Sequence, residues 1–135
     1  MRRVATIAVV SALALAVLAL RTPAAHATAF HFYLVKSMPD KEVVLEAAPA
    51  EIKLWFSEEA QKAGTSIRLV GPDEALVELA DVLRSDEDAT LVTAKVTGRI
   101  PPGVSKVVWR AMGRDGHIVR GEYTFTVHSA DATGY

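Results

Sequence analysis

Polar and apolar residues alternate in short bursts along most of this chain. From Glu122 to Val127, the apolar Tyr123, Phe125 and Val127 interleave with Glu122, Thr124 and Thr126. That period of two belongs to a strand with one buried face. The segment EIKLWFS, Glu51 to Ser57, repeats it, with Ile52, Leu54 and Phe56 on one face and Lys53 and Trp55 on the other. Leu91 to Thr97 alternates as cleanly, and Lys106 to Met112 reads as the penultimate strand after the tight turn Ile100-Pro101-Pro102-Gly103. Upstream, His31 to Lys36 is rich in β-formers and predicts a first strand, closed by a turn over Ser37-Met38-Pro39-Asp40. A short extended segment is expected around Val43 to Leu45, and another strand over Ile67 to Val70, ending in the turn Gly71-Pro72-Asp73-Glu74.

One stretch reads two ways. Ala75, Leu76, Leu79, Val82 and Leu83 fit helical spacing, and EALVELADVLR has high intrinsic helix propensity. Strand patterns and turn signals bracket it on both sides, so an extended or irregular segment is expected instead. Ser85-Asp86-Glu87-Asp88 follows as a solvated acidic turn; it lacks the glycine and terminal glutamate of a calcium loop. About seven short strands with Pro and Gly turns and no secure helix predict an all-β fold, a seven-stranded antiparallel Greek-key β-sandwich.

The first residues break this pattern. Arg2 and Arg3 precede an uninterrupted apolar or small run from Val4 to Leu20, and small-residue cleavage options follow at Ala27 and Ala29. This is the layout of a secretory signal peptide, expected over residues 1–29; left uncleaved, it would be a membrane anchor and the only membrane contact. Residues 30–128 then form one domain, and residues 129–135 a flexible tail. Losing Arg2, Arg3 and Arg21, with no acidic residue among them, takes the formal charge from −1 to −4. A mildly acidic domain is a poor nucleic-acid binder. There is no cysteine in the chain, so disulfides, thiolate metal sites and cysteine nucleophiles are excluded.

Candidate chemistry gathers between the last two strands, at Arg114-Asp115-Gly116-His117. Glycine there permits backbone angles costly for its neighbours. A carboxylate and an imidazole two apart on such a loop can serve as metal ligands, as a proton relay, or as a surface turn capped by the Asp side chain. No Ser-His-Asp order, phosphate loop or zinc motif supports catalysis.

Taken together, HFYLVKSMPDKEVVLEAAPAEIKLWFSE and PPGVSKVVWRAMGRDGHIVRGEYTFTV resemble the bacterial copper-resistance CopC domain (YobA-like) family. The matching features are a His before Leu-Val-x-Ser-x-Pro, Leu-x-Phe-Ser-Glu, Trp-Arg, Asp-Gly-His, and a closing Gly-x-aromatic-x-Phe-x-Val. The resemblance implies a cupredoxin-like, immunoglobulin-like sandwich in the periplasm that binds Cu(II), one per chain, and carries or sequesters it without catalysis. It implies His31, Asp115 and His117 as metal ligands, and an inner-membrane copper transporter of the CopD type as partner. Imidazole and carboxylate suit the tetragonal preference of Cu(II).

The chain departs from the family pattern in two places. Beyond the leader it has only Met38 and Met112, far apart, so the thioether-rich Cu(I) site of many members is expected to be absent. The family ligand is the first residue of the exported protein, whereas cleavage after Ala29 makes Phe30 the first residue and His31 the second. An amine on residue one, the intervening amide nitrogen and the His31 imidazole can still chelate copper in a plane. Cleavage after Ala27 would favour the alternative, an immunoglobulin-like exported interaction module with a degenerate metal site. A copper enzyme would need a substrate face of exposed aromatics, for which only Phe30, Phe32, Tyr33 and Trp55 lie near the start. His128 is expected to be solvated, Trp55 and Trp109 to be core or sheet-face aromatics, and Glu58 and Glu59 to be a surface pair.

Overall fold

Ile52, Leu54 and Phe56 point into the protein from one strand, as their alternation predicts, and meet Leu69, Val107 and Phe125 from a second sheet. The computed structural model describes residues 31–128, so the expected signal peptide, Phe30 and the whole expected tail lie outside the described residues. Nine strands appear among them: β1 (Leu34–Met38), β2 (Val44–Leu45), β3 (Glu51–Phe56), β4 (Ala60–Val70), β5 (Leu76–Val77), β6 (Leu83–Arg84), β7 (Leu91–Lys95), β8 (Gly103–Gly113) and β9 (Ile118–Val127). They form a four-stranded sheet in the order β1-β3-β7-β6 and a five-stranded sheet in the order β2-β9-β8-β4-β5. No helix occurs among the described residues.

The all-β expectation holds, with two corrections. The strand count is nine instead of seven, because β5 and β6 are two-residue pairings too short for a periodic signature. The sheets are also not purely antiparallel. β2 runs parallel to β9, with Val44 opposite Thr126 and Leu45 opposite Val127. The amides of Thr126 and His128 donate to the Val43 and Leu45 carbonyls, and Glu42 donates back to Thr124. A short segment in a long connection can lie down either way along a strand edge, so its sequence carries no direction.

Residues 75–84 are extended, as read, despite their helical composition. The Gly71 amide donates to the Ala75 carbonyl and the Glu74 amide to that of Gly71, with Glu74 at a φ of 62° closing the turn. The segment then crosses between sheets. β5 pairs with β4, Leu79 bridges Val96, and β6 pairs with β7. Its backbone groups are consumed by neighbouring strands, and this tertiary demand overrides a propensity worth tenths of a kcal/mol per residue.

The β8–β9 hairpin is the longest ladder, in unbroken register from Gly103↔Val127 to Met112↔Ile118. Trp109 lies over Gly121 directly across the pair. A β-carbon on Gly121 would fall 2.4 Å from the indole, so the glycine makes room for the ring. Phe56 meets the same indole edge-on at 5.4 Å between ring centres. Trp109 is therefore a core residue, while Trp55 lies on the outer sheet face with the Lys36 ammonium 4.9 Å from its ring centre.

Candidate metal centre

The turn joining β8 to β9 is built from its own short-range bonds. The Gly113 amide donates to the His117 carbonyl at 2.9 Å, and the Gly116 amide to the Gly113 carbonyl at 3.0 Å. Gly116 sits at a φ of +85° with nothing within 4 Å of a would-be β-carbon, so backbone conformation and not space selects glycine there.

Asp115 uses both carboxylate oxygens on His117. Oδ1 accepts from the His117 amide at 3.0 Å and Oδ2 from the ring Nδ1 at 2.5 Å. An ionised carboxylate can only accept, so Nδ1 carries the proton and Nε2 is the nitrogen left to face solvent. Both side chains are well exposed. The His117 ring bond, then its amide bond, hold the Asp115 carboxyl below its ordinary value. The same pairing raises His117 above 6.5, through the hydrogen bond first and the opposite charge second. Asp115 thus caps the turn, one of the readings open for it, and also orients the His117 imidazole.

His31 reaches the same end of the sandwich by another route. Its carbonyl accepts from the Ser57 hydroxyl at 3.1 Å, and Ser57 Oγ accepts from the Tyr33 amide at 3.1 Å. The Ser57 amide in turn donates to the Tyr33 carbonyl. Residues 31–33 therefore follow β3 without joining the ladder, and β1 begins at Leu34, later than predicted. Phe32 is the anchor. It is buried, stacks on Phe56 at 5.1 Å, and its Cγ lies 3.3 Å from the point a β-carbon on Gly113 would occupy. Asp115 Oδ1 lies 3.3 Å from that same point. The ring next to His31 and the turn carboxylate thus share one small region, at the base of the turn.

The trio is not closed. Among the described residues, no three His, Asp or Glu side chains converge as a set able to hold a metal. Asp115 and His117 are brought together; the His31 side chain is exposed and does not join them, although its neighbour Phe32 packs at the base of the turn. His128 is exposed, with Nδ1 3.8 Å from Glu46. Glu59 is a partly exposed surface residue that reaches Arg84 at 2.6 Å and Arg114 at 3.8 Å. Two residues not singled out from sequence also shape this end, Ser57 at the His31 arm and Gln61 under the turn. Ser57 lay within the Phe-Ser-Glu motif; Gln61 carried no signal.

The described residues form a two-sheet β domain with an exposed Asp–His pair at the tip of its longest hairpin. Residues 34–128 match the CopC domain family, and the chain belongs to it. Protein YobA of Escherichia coli (strain K12) is 29% identical over 116 residues, which cover 86% of this chain and 91% of YobA. The copper transport protein CutJ of Bacillus subtilis (strain 168) is 28% identical over 101 residues, 75% of this chain but 19% of CutJ. Among solved structures, CopC from Methylosinus trichosporium OB3b superposes with a TM-score of 0.69 at 28% identity, covering 78% of this chain and all of that one. PcoC, a methionine-rich copper resistance protein from Escherichia coli, gives 0.62 at 29% identity, covering 72% of this chain and 98% of PcoC.

Proposed function

We propose that this protein is an exported, periplasmic Cu(II) carrier that holds one copper per chain at His31, Asp115 and His117 and passes it on without catalysis. The observation that carries the reading is the oriented Asp115–His117 pair at an exposed turn, in a family whose relatives include copper-resistance and copper-transport proteins. A carboxylate fixing one ring nitrogen leaves the other as a pre-aimed ligand, the arrangement that strengthens histidine as a metal donor. His117 then supplies Nε2, and Asp115 acts chiefly by orientation, as an axial or outer partner. With export cleavage after Ala29, Phe30 contributes its amine and His31 its amide nitrogen and imidazole, filling the remaining planar positions of a Cu(II) site. Met38 and Met112 lie on β1 and β8, which argues against a separate thioether Cu(I) site. CutJ carries a matching stretch within a much longer copper transport protein, which supports an inner-membrane transporter of the CopD type as the receiver.

Titration of the exported protein with Cu(II) is expected to reach one equivalent, with an intact mass that begins at Phe30. Two equivalents, or tight Cu(I) binding, contradict the reading. A second reading, an interaction module with a degenerate metal site, draws on the unclosed trio. It predicts no stoichiometric copper binding and a chain that starts at Thr28.

A further inference from the structure

The Asp115–His117 turn is exposed, and its own backbone hydrogen bonds do not use the carbonyl of Arg114. This oxygen belongs to the peptide that leads directly into Asp115. The amide nitrogen of Gln61, 53 residues upstream, donates to it at 3.2 Å, and also to the Gly113 carbonyl at 2.8 Å. Both peptide planes entering the turn are therefore pinned from below by one side chain on another strand. A planar amide with two N–H groups is suited to that task, since it can serve two carbonyls at once.

Gln61 is itself held in place. It is opposite Met112 in the β4–β8 pairing, and the register shifts between Gln61 and Ser66. The extra residues are tied back by Thr65, whose hydroxyl donates to the Gln61 carbonyl at 2.7 Å and accepts from the Met112 amide at 3.4 Å. Gly64 closes the bulge against Met112, where a β-carbon would fall 2.5 Å from the Met112 side chain. Glu59, two residues before Gln61, reaches the Arg114 side chain. Bulges of this kind re-aim side chains next to functional sites. Here the bulge begins at the residue that grips the turn.

We propose that Gln61 is a positioning residue for the metal turn: by bonding the Gly113 and Arg114 carbonyls, it sets the direction from which Asp115 and His117 present themselves to copper. This rests on the Cu(II)-carrier reading above. Gln61 touches no ligand atom, so its effect falls on the geometry of the site. Loss of an outer partner of this kind costs about 10- to 100-fold in metal affinity.

The test uses the exported full chain and Cu(II) alone. Gln61→Met keeps the length of the side chain and removes the donor; Gln61→Glu keeps the shape and sets a carboxylate against two carbonyl oxygens. Affinity is read by competition with a chelator, and site geometry by electron paramagnetic resonance of the bound Cu(II). Gln61→Met is expected to bind about tenfold more weakly with altered copper hyperfine coupling, and Gln61→Glu more weakly still. Val92→Ala, in the core of the other sheet, is the control for general destabilisation and is expected to keep the wild-type affinity and spectrum. If Gln61→Glu does not fold, Gln61→Met carries the test, since it places no charge in the turn. Wild-type affinity and spectrum in the folded Gln61 variants overturn the assignment. Wild-type protein that binds no Cu(II) overturns the carrier reading instead, which separates the two failures.

Discussion

The two halves of the candidate site are held by different means. Asp115 and His117 sit within a five-residue turn that ties the two to each other by local bonds and is gripped from below by Gln61, at the end of the longest ladder among the described residues. His31 is placed from 26 residues away by its carbonyl on Ser57, and by a buried neighbour, Phe32. One half is pre-organised before a metal arrives; the other is an arm hung from the core by a single ring. A pre-organised half loses little entropy when it binds, whereas the arm must be kept near by packing. The arm should therefore be the more easily disabled half, and by substitutions that touch no ligand.

The largest effect is expected from Phe32→Ala. Emptying its place against Phe56 and Gly113 should cost about 3 to 5 kcal/mol in urea unfolding and free the His31 arm. Copper affinity of the folded fraction should fall to that of His31→Ala. Retained affinity would mean that the arm finds the turn unaided. Phe125→Ala makes the matched comparison, with a similar cost of about 3 to 5 kcal/mol but both halves left in place. Its folded fraction should bind copper normally.

Next come the ligands themselves. His31→Ala should lose more than about 100-fold in Cu(II) affinity, beyond the range expected of an outer partner, and Asp115→Ala about tenfold, with His117→Ala between them. Equal losses for His31→Ala and Asp115→Ala in a chain that begins at Phe30 would show Asp115 to be a direct ligand.

The pH dependence sharpens the contrast further. Asp115 raises the His117 pKa above 6.5, so the free imidazole is protonated to a higher pH than an isolated one, and protons compete with copper sooner. Affinity should be full at alkaline pH and should fall as pH drops through that raised value. In Asp115→Asn the carboxylate that raises the pKa is gone, so the midpoint of the His117 contribution should move down toward 6.5. Titrations at a series of pH values read the shift directly; an unmoved midpoint would place control of the ring elsewhere. The smallest effect is expected from Ser57→Ala, which removes the hydroxyl shared by His31 and Tyr33. It should cost about 1 kcal/mol of stability and only a few-fold in copper affinity, because Phe32 still holds the arm.

Much of this could be read along the chain. The inward faces of β3, β7 and β9 are those that alternation assigns, and Asp115 accepts from the His117 amide as a turn-capping Asp does. β4 was seen only in part. Ile67 to Val70 was legible, but Gln61 to Ser66 reads as QKAGTS, mostly polar and broken by a bulge, with no period to detect.

What the sequence determined by itself is local. A period of two follows from the pleat, and an Asp that accepts from the amide two residues on needs only a glycine to bend the chain; both arise within a few residues. What only the tertiary structure decided spans tens of residues. The parallel placement of β2 beside β9, the crossing of residues 75–84 between sheets, the His31 arm on Ser57 and the reach of Gln61 to the turn are of this kind. Each is a partnership in which one side chain or a two-residue strand completes hydrogen bonds left open by a distant element. The need is written into the backbone everywhere, but which residue meets it is settled only when the sheets pack and fix the distances.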